Sequence, residues 1–268
     1  MSQSRFVARV VRLAGVATLL AGCIDLSVDP DAVGSIEFPP LPSPSVVAGD
    51  SLRDTTGVPF ALVANVYAAD GTLLPDRPVS FLVADTNVRL TEGNFVIGDA
   101  LTFGNTEFVS RLFASIDGLQ SLVRTVYVVP RPDTMVRQGT DTSDVIEYSL
   151  PALASDTSMA LSVLLRSYRA TDTIPVSRYV VKYRLMTFTG ATVPSTDTTR
   201  AFFLVDNGGR VTTMDTTDNG VASRRLRFRI NQGQAAVDSI IVLAEARRGR
   251  QFVPGSPVVW TIKVQRKQ

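Results

Sequence analysis

Three dipeptides that fold a chain back on itself, Asp70-Gly71, Asp117-Gly118 and Asn219-Gly220, stand between short apolar segments with alternating polarity. Tight hairpin turns of type I′ need positive φ at both central residues, which selects Asn or Asp followed by Gly. The segments themselves recur roughly every eight to twelve residues, the spacing of an all-β sandwich. Residues 60–67, 78–83, 88–90, 94–97, 112–116 and 122–129 form one series, and 159–165, 179–185, 202–205, 222–230, 238–246 and 257–264 a second. Ahead of them, Ile36-Glu37-Phe38 runs into the proline-rich stretch 39–44 and reads as an edge strand, because proline cannot donate to a central ladder. No long helical pattern follows residue 23.

Pro130-Arg131-Pro132-Asp133 interrupts the two series, since prolines stop a strand, and a polar run follows. The expected organisation is therefore one sandwich over residues 34–130, a linker over 131–144, and a second sandwich over 145–266. Trp260, the single tryptophan, alternates with Val258 and Ile262 and is expected to anchor the second core.

In order along the first series come Gly49-Asp50-Ser51, Leu62-Val63-Ala64-Asn65-Val66-Tyr67, Asp70-Gly71, Pro78-Val79-Ser80-Phe81 and Ala114-Ser115-Ile116-Asp117-Gly118. This order resembles the bacterial immunoglobulin-like domains of invasin and intimin type. The second series is similar to the same family in Asp218-Asn219-Gly220 and in Val258-Val259-Trp260-Thr261-Ile262-Lys263-Val264. The resemblance implies two tandem immunoglobulin-like sandwiches of the kind found on bacterial surface proteins. With no cysteine pair to bridge the sheets and the tryptophan on the last strand, antibody-type domains are excluded.

At the N-terminus, Arg5, Arg9 and Arg12 precede a short apolar run that ends Leu20-Ala21-Gly22-Cys23. A membrane-spanning helix needs about 20 apolar residues, and Arg9 and Arg12 leave half of that; a cleaved secretory signal over 1–22 fits instead. The last four residues resemble the lipobox of bacterial lipoproteins. That likeness implies a diacylglycerol on the Cys23 thiol, a mature chain beginning at Cys23, and a polar tether over 23–33. Ile24 in place of an aspartate implies sorting to the outer membrane.

Removal of residues 1–22 from the 268 leaves 246, with 24 of the 27 basic residues against all 25 acids, a net charge of about −1. A strongly basic body is absent, so nucleic acid is not the expected partner. The chain has no histidine, and its one cysteine is the lipidation candidate. That removes Ser-His-Asp and Cys-His nucleophiles, histidine-ligated metals and disulfides, and no cofactor is expected. Carboxylates remain, but they sit mostly in turn contexts such as Ala69-Asp70-Gly71, where the side chain caps the turn. Asp215 opens a run that lacks the glutamate of a calcium loop, which leaves Asp133, Asp141 and Asp144 as the calcium candidates near the boundary. Arg225, Arg227 and Arg229 alternate with Leu226, Phe228 and Ile230, so three guanidinium groups share one strand face and form a candidate anion-binding row, beside which the hairpin 247–250 is expected to lie.

These readings converge on a non-enzymatic, membrane-anchored envelope lipoprotein acting in adhesion, binding or spacing. Its expected contacts are the membrane through Cys23 and a surface glycan or envelope protein. The alternative is a carbohydrate-active enzyme, or its accessory subunit, using a carboxylate pair.

Overall fold

The computed structural model describes residues 32–102, 106–149, 156–194, 196, 201–229 and 239–267. Cys23, the signal and nearly all of the tether lie outside the described residues. All regular structure among the described residues is β-strand. The chain divides into a small unit, Met1–Ser35 with Val66–Arg77, and a large one, Ile36–Asn65 with Pro78–Gln268.

The strands Val33–Glu37 and Asn65–Ala68 pair. The chain then reverses at Asp70-Gly71, where Gly71 alone, and not Asp70, takes a positive φ, of +87°, so the pair departs from the type I′ pattern, and the Asp70 carboxylate accepts the Thr72 N–H at 2.9 Å. Residues 60–67 were expected as one strand; the regular ladder occupies only Asn65–Ala68, with a single bridge from Ala61 to Phe95 before it.

The large unit holds two sandwiches. In the second, one sheet runs in the order Thr134–Arg137, Leu161–Tyr168, Val221–Phe228, Phe202–Val205. The facing sheet runs Ser143–Tyr148, Val258–Arg266, Ser239–Glu245, Val180–Met186, Thr192–Val193. Lettered A to G along the chain, with the short extra strands as A′ and C′, the sheets are ABED and A′GFCC′, the immunoglobulin order. Ser143–Tyr148 lies parallel to Val258–Arg266, whereas the other strand pairs in the two paths are antiparallel.

Period-two alternation supplies the core. Leu161, Val163 and Leu165 face Val181, Tyr183 and Leu185, with Trp260 among them at 1 % exposure, as its alternation predicted. The Tyr183 hydroxyl donates towards the carbonyl oxygens of Leu161 and Ala222, 3.1 and 3.0 Å away, and ties the sheets together. Burial of that phenol pushes its pKa far up, so it stays a neutral donor.

The first sandwich repeats the A′GFC sheet as Ser45–Val47, Arg124–Val129, Phe108–Ile116 and Ser80–Val83, again with the first pair parallel. Its other layer is built from shorter pieces, the Val88–Leu90 and Val96–Gly98 hairpin and bridges from Ser51 to Ile97 and from Ala61 to Phe95. Phe38, Leu52, Val96, Leu112, Val126 and Val128 fill the space between.

The stretch 131–144 is not a free linker. Thr134–Arg137 is the first strand of the second sandwich, paired to Leu161–Tyr168, and Met135 is buried in the core. The Ser143–Tyr148 strand also begins inside the expected linker. Four residues carry too little periodicity to reveal a strand whose position is set by its partner.

Candidate functional site

The second sandwich meets the first across its own F–G connection and the start of strand C. Val47, Tyr127 and Val129 of the first sandwich pack against the core of the second. The Arg178 guanidinium lies over the Tyr127 ring, 4.9 Å from its centroid, and 3.7 Å from the Glu107 carboxylate. Arg178 is held at φ +60°, a conformation a non-glycine residue keeps only where its surroundings impose it. The tightest approach is backbone on backbone: a β-carbon on Gly57 would fall 1.8 Å from the Gly249 carbonyl oxygen.

A narrow cleft of about 70 Å³ opens beside this contact, lined by Asp50, Arg53, Tyr179, Lys182, Glu245 and Arg247 among others. Arg53 grips Asp50 through two hydrogen bonds of 3.0 and 2.8 Å and donates a third, of 2.9 Å, to the Gly57 carbonyl. Burial alone would raise the Asp50 carboxyl's pKa. The Arg53 hydrogen bonds and charge, with the Ser51 N–H, outweigh burial and hold it below the usual carboxylate range. The Tyr179 hydroxyl donates to the Arg247 carbonyl, and Glu245, nearly buried, is paired with Arg184.

This chemistry is structural in character. A general acid for glycoside cleavage needs a raised carboxyl pKa, whereas Asp50 and Asp54 are both lowered; at Asp54 burial, the largest single influence, acts upward, and the hydroxyl of Thr56 with the N–H groups of Val58, Thr56 and Gly57 together outweigh it. The cleft is also far below the roughly 300 Å³ at which small-molecule pockets begin. A second depression, about 400 Å³ and open to solvent, lies between Leu164, Arg166, Thr173, Pro175 and Asn219 and contains one charged side chain and no acid.

The calcium candidates are not assembled. Asp133 is taken by Arg131 at 2.9 Å, Arg248 at 3.4 Å and the Tyr168 N–H at 3.0 Å. Asp144 accepts the N–H groups of Val145 and Met159, and Asp141 is exposed. Asp215 forms an ion pair of 2.9 Å with the inward-facing Arg224, so the run that superficially matched a calcium loop joins sheet edge to core.

Arg225, Arg227 and Arg229 do share the outer face of Val221–Phe228 and the residue after it, with Arg225 and Arg229 exposed. Arg227 is half-buried with its guanidinium 5.9 Å from the Phe203 ring centroid. Among the described residues neither Arg225 nor Arg229 has an acidic partner. The hairpin 247–250 is not beside them: Gly249 lies on Gly57, and Arg248 reaches the Pro132 carbonyl and Asp133. Asp133 bonds to the Arg166 carbonyl, whereas the row begins beyond the Leu161–Arg224 register pair, five residues further along the same strand. At ~3.3 Å per residue the row stands on the order of 16 Å or more from that level.

No spacing rule brings the cleft residues together, because Asp50 and Arg53 lie far from Tyr179, Glu245 and Arg247 in the chain. Their nearest sequence signals are the Gly49-Asp50-Ser51 turn and Gly249, both read as turns.

No family model and no curated protein matches this chain. Among solved structures it is similar to the adhesin InvE of Yersinia pseudotuberculosis, at 13 % identity and a TM-score of 0.34 over 86 % of this chain and 58 % of that one. Domains 4–9 of the surface-layer protein SbsC match at 10 % identity and 0.30, over 88 % of this chain and 31 % of that one. The human protocadherin-24 EC1-2 fragment matches at 16 % and 0.28, over 88 % of this chain and all of that one. The chain thus spans 58 % and 31 % of the first two. These likenesses are loose, and the assignment of the fold rests on the strand order.

Proposed function

We propose that this chain is a lipid-anchored protein of the cell envelope, sorted to the outer membrane, in which two immunoglobulin-like sandwiches joined at a packed junction carry a binding surface away from the bilayer. It acts in adhesion, binding or spacing and catalyses no reaction. The observation that carries this reading is the junction itself. In it Arg53 bonds the Asp50 carboxylate and the Gly57 carbonyl, Tyr179 bonds the Arg247 carbonyl, and core side chains run from one sandwich into the other. A site built for turnover leaves groups poised for a substrate, and a site built to hold two domains in register uses them up.

The anchor reading rests on the run ending at Cys23. Intact mass of the native protein is expected to show a chain that starts at Cys23 and carries acyl mass. A chain that starts elsewhere without lipid would sink it.

Arg225, Arg227 and Arg229 are the proposed contact for an acidic glycan, since guanidinium forks match such anions bidentately. Binding through exposed charges is weak and salt-sensitive. Changing all three arginines to serine is expected to abolish retention on an anionic glycan column. The loss of the Arg227–Phe203 contact, ~0.5–1 kcal/mol, should lower the melting temperature by no more than about 4 °C. Unaltered retention would leave the row as solvated surface.

A further inference from the structure

In the second sandwich the F–G connection makes the contact to its neighbour, through Gly249 against Gly57. The corresponding connection of the first sandwich, residues 117–123, lies at that sandwich's opposite pole. Strand G there runs from Arg124 to Val129, and Val129 packs on the second core. Six residues of strand, on the order of 20 Å, therefore separate the loop from the junction.

This free loop is apolar. Leu122 is 79 % exposed, the highest among the large apolar side chains described, with Val123 at 54 % and Leu119 at 37 %. Residues 118–123 carry no charge. The loop is also rigidly presented: Leu119 and Gln120 pair with Ile116 and Ser115, the Ser121 N–H donates to the Ala114 carbonyl at 2.9 Å, and the Ala114 N–H donates to the Ser121 hydroxyl at 2.9 Å. Leucine and valine are thus fixed in water, an arrangement that favours an apolar partner.

What that partner is follows from where the chain enters. Arg124, next to Val123, donates its Nε–H to the Phe38 carbonyl at 2.7 Å and a second guanidinium N–H to the same oxygen. Phe38 lies fifteen residues after Cys23, an extended reach of at most about 50 Å. With Cys23 acylated, the bilayer lies within that reach of this pole.

We propose that the loop 117–123 is a membrane-contacting tip, with Leu119, Leu122 and Val123 entering the boundary between headgroups and acyl chains of the bilayer that holds Cys23. The proposal rests on the lipid-anchor reading. An anchor by itself leaves the sandwiches free to tumble on their tether, and a second, apolar contact fixes their orientation. Because the tether makes that contact intramolecular, a weak intrinsic affinity is enough.

The test uses the natively acylated full chain bearing Leu122→Cys. The Cys23 sulfur carries the lipid, so position 122 offers the sole free thiol for an environment-sensitive dye. A matched Arg225→Cys chain labels the far end of the second sandwich. In phosphatidylcholine vesicles, emission from position 122 is expected to rise several-fold, to shift to the blue, and to be quenched by brominated acyl chains, with none of these at 225. Adding Leu119→Asp and Val123→Asp should cut the response about tenfold. Equal responses at both positions, or a label at 122 that stays solvent-like, would overturn the proposal. So would a blue shift that depends on protein concentration and not on lipid, which would point to a second copy of this chain. Failure of the anchor shows separately, as a mass without acyl chains and a second labelled thiol. The tip is then read on the Cys23→Ser chain with millimolar vesicles, where quenching at 122 supports it and its absence overturns it.

Discussion

Trp260→Ala is expected to destabilise the second sandwich by about 3–5 kcal/mol, the range for truncating a fully buried aromatic. The indole is 1 % exposed on the last long strand, between Val258 and Ile262, and faces the second sheet across the core. Its removal leaves a void that Leu161, Val163 and Tyr183 cannot close without giving up the Tyr183 hydrogen bonds that join the sheets. The Arg137 guanidinium, 5.4 Å from the ring centroid, loses its aromatic platform as well. Calorimetry or denaturant unfolding followed by circular dichroism measures the loss, and in the parent chain this single tryptophan reports the second sandwich alone. A variant within about 1 kcal/mol of the parent would show that Trp260 is not the centre of the core. Trp260→Phe should recover most of the difference.

The second large effect is expected at the junction, from Gly57→Val. Gly57 has φ +87°, which side-chain-bearing residues rarely adopt, and its missing β-carbon is the space the Gly249 carbonyl occupies. Both obstacles are backbone, so no rotamer change relieves them. Overpacking costs ~1–3 kcal/mol, and the positive φ adds to that cost. The F–G hairpin must lift, which separates Tyr179 and Arg247 from Asp50 and Arg53 across the cleft. The parent chain should melt in one calorimetric transition, and the variant in two, one for each sandwich. Gly71→Ala is the control, because Gly71 has the same φ of +87° with nothing within 4 Å of an added β-carbon. It should cost conformational strain alone and keep the single transition. Two transitions in the control, or one in the junction variant, would contradict the role given to the Gly57–Gly249 contact.

Much of this fold is local and could be read from residues in sequence. Asp117 and Gly118 take φ of 49° and 82°, and Asn219 and Gly220 take 48° and 79°, as the turn chemistry requires. The alternation that placed Leu112, Ala114 and Ile116, or Val258, Trp260 and Ile262, on one face also placed them in the core. The outward row of Arg225, Arg227 and Arg229 followed from the same period of two. The residues of a turn or a strand settle their conformation among near neighbours, so composition and spacing suffice. The other features were decided by partners distant in the chain. Thr134–Arg137 is a strand because Leu161–Tyr168 offers it a ladder, and four residues are too few to announce that. The hairpin 247–250 sits at the junction, away from the arginine row, because the strand order puts that end of the second sandwich on the first. Asp133, Asp141 and Asp144 are close in sequence, yet ion pairs and backbone donors from other strands claim Asp133 and Asp144 separately. Sequence determined the local conformations and which face of each strand is apolar, since those depend on dihedral preferences and side-chain period. Tertiary structure decided which charges meet and which loops stay bare, since those depend on sheet order, and a sheet pairs strands through backbone groups that every residue shares.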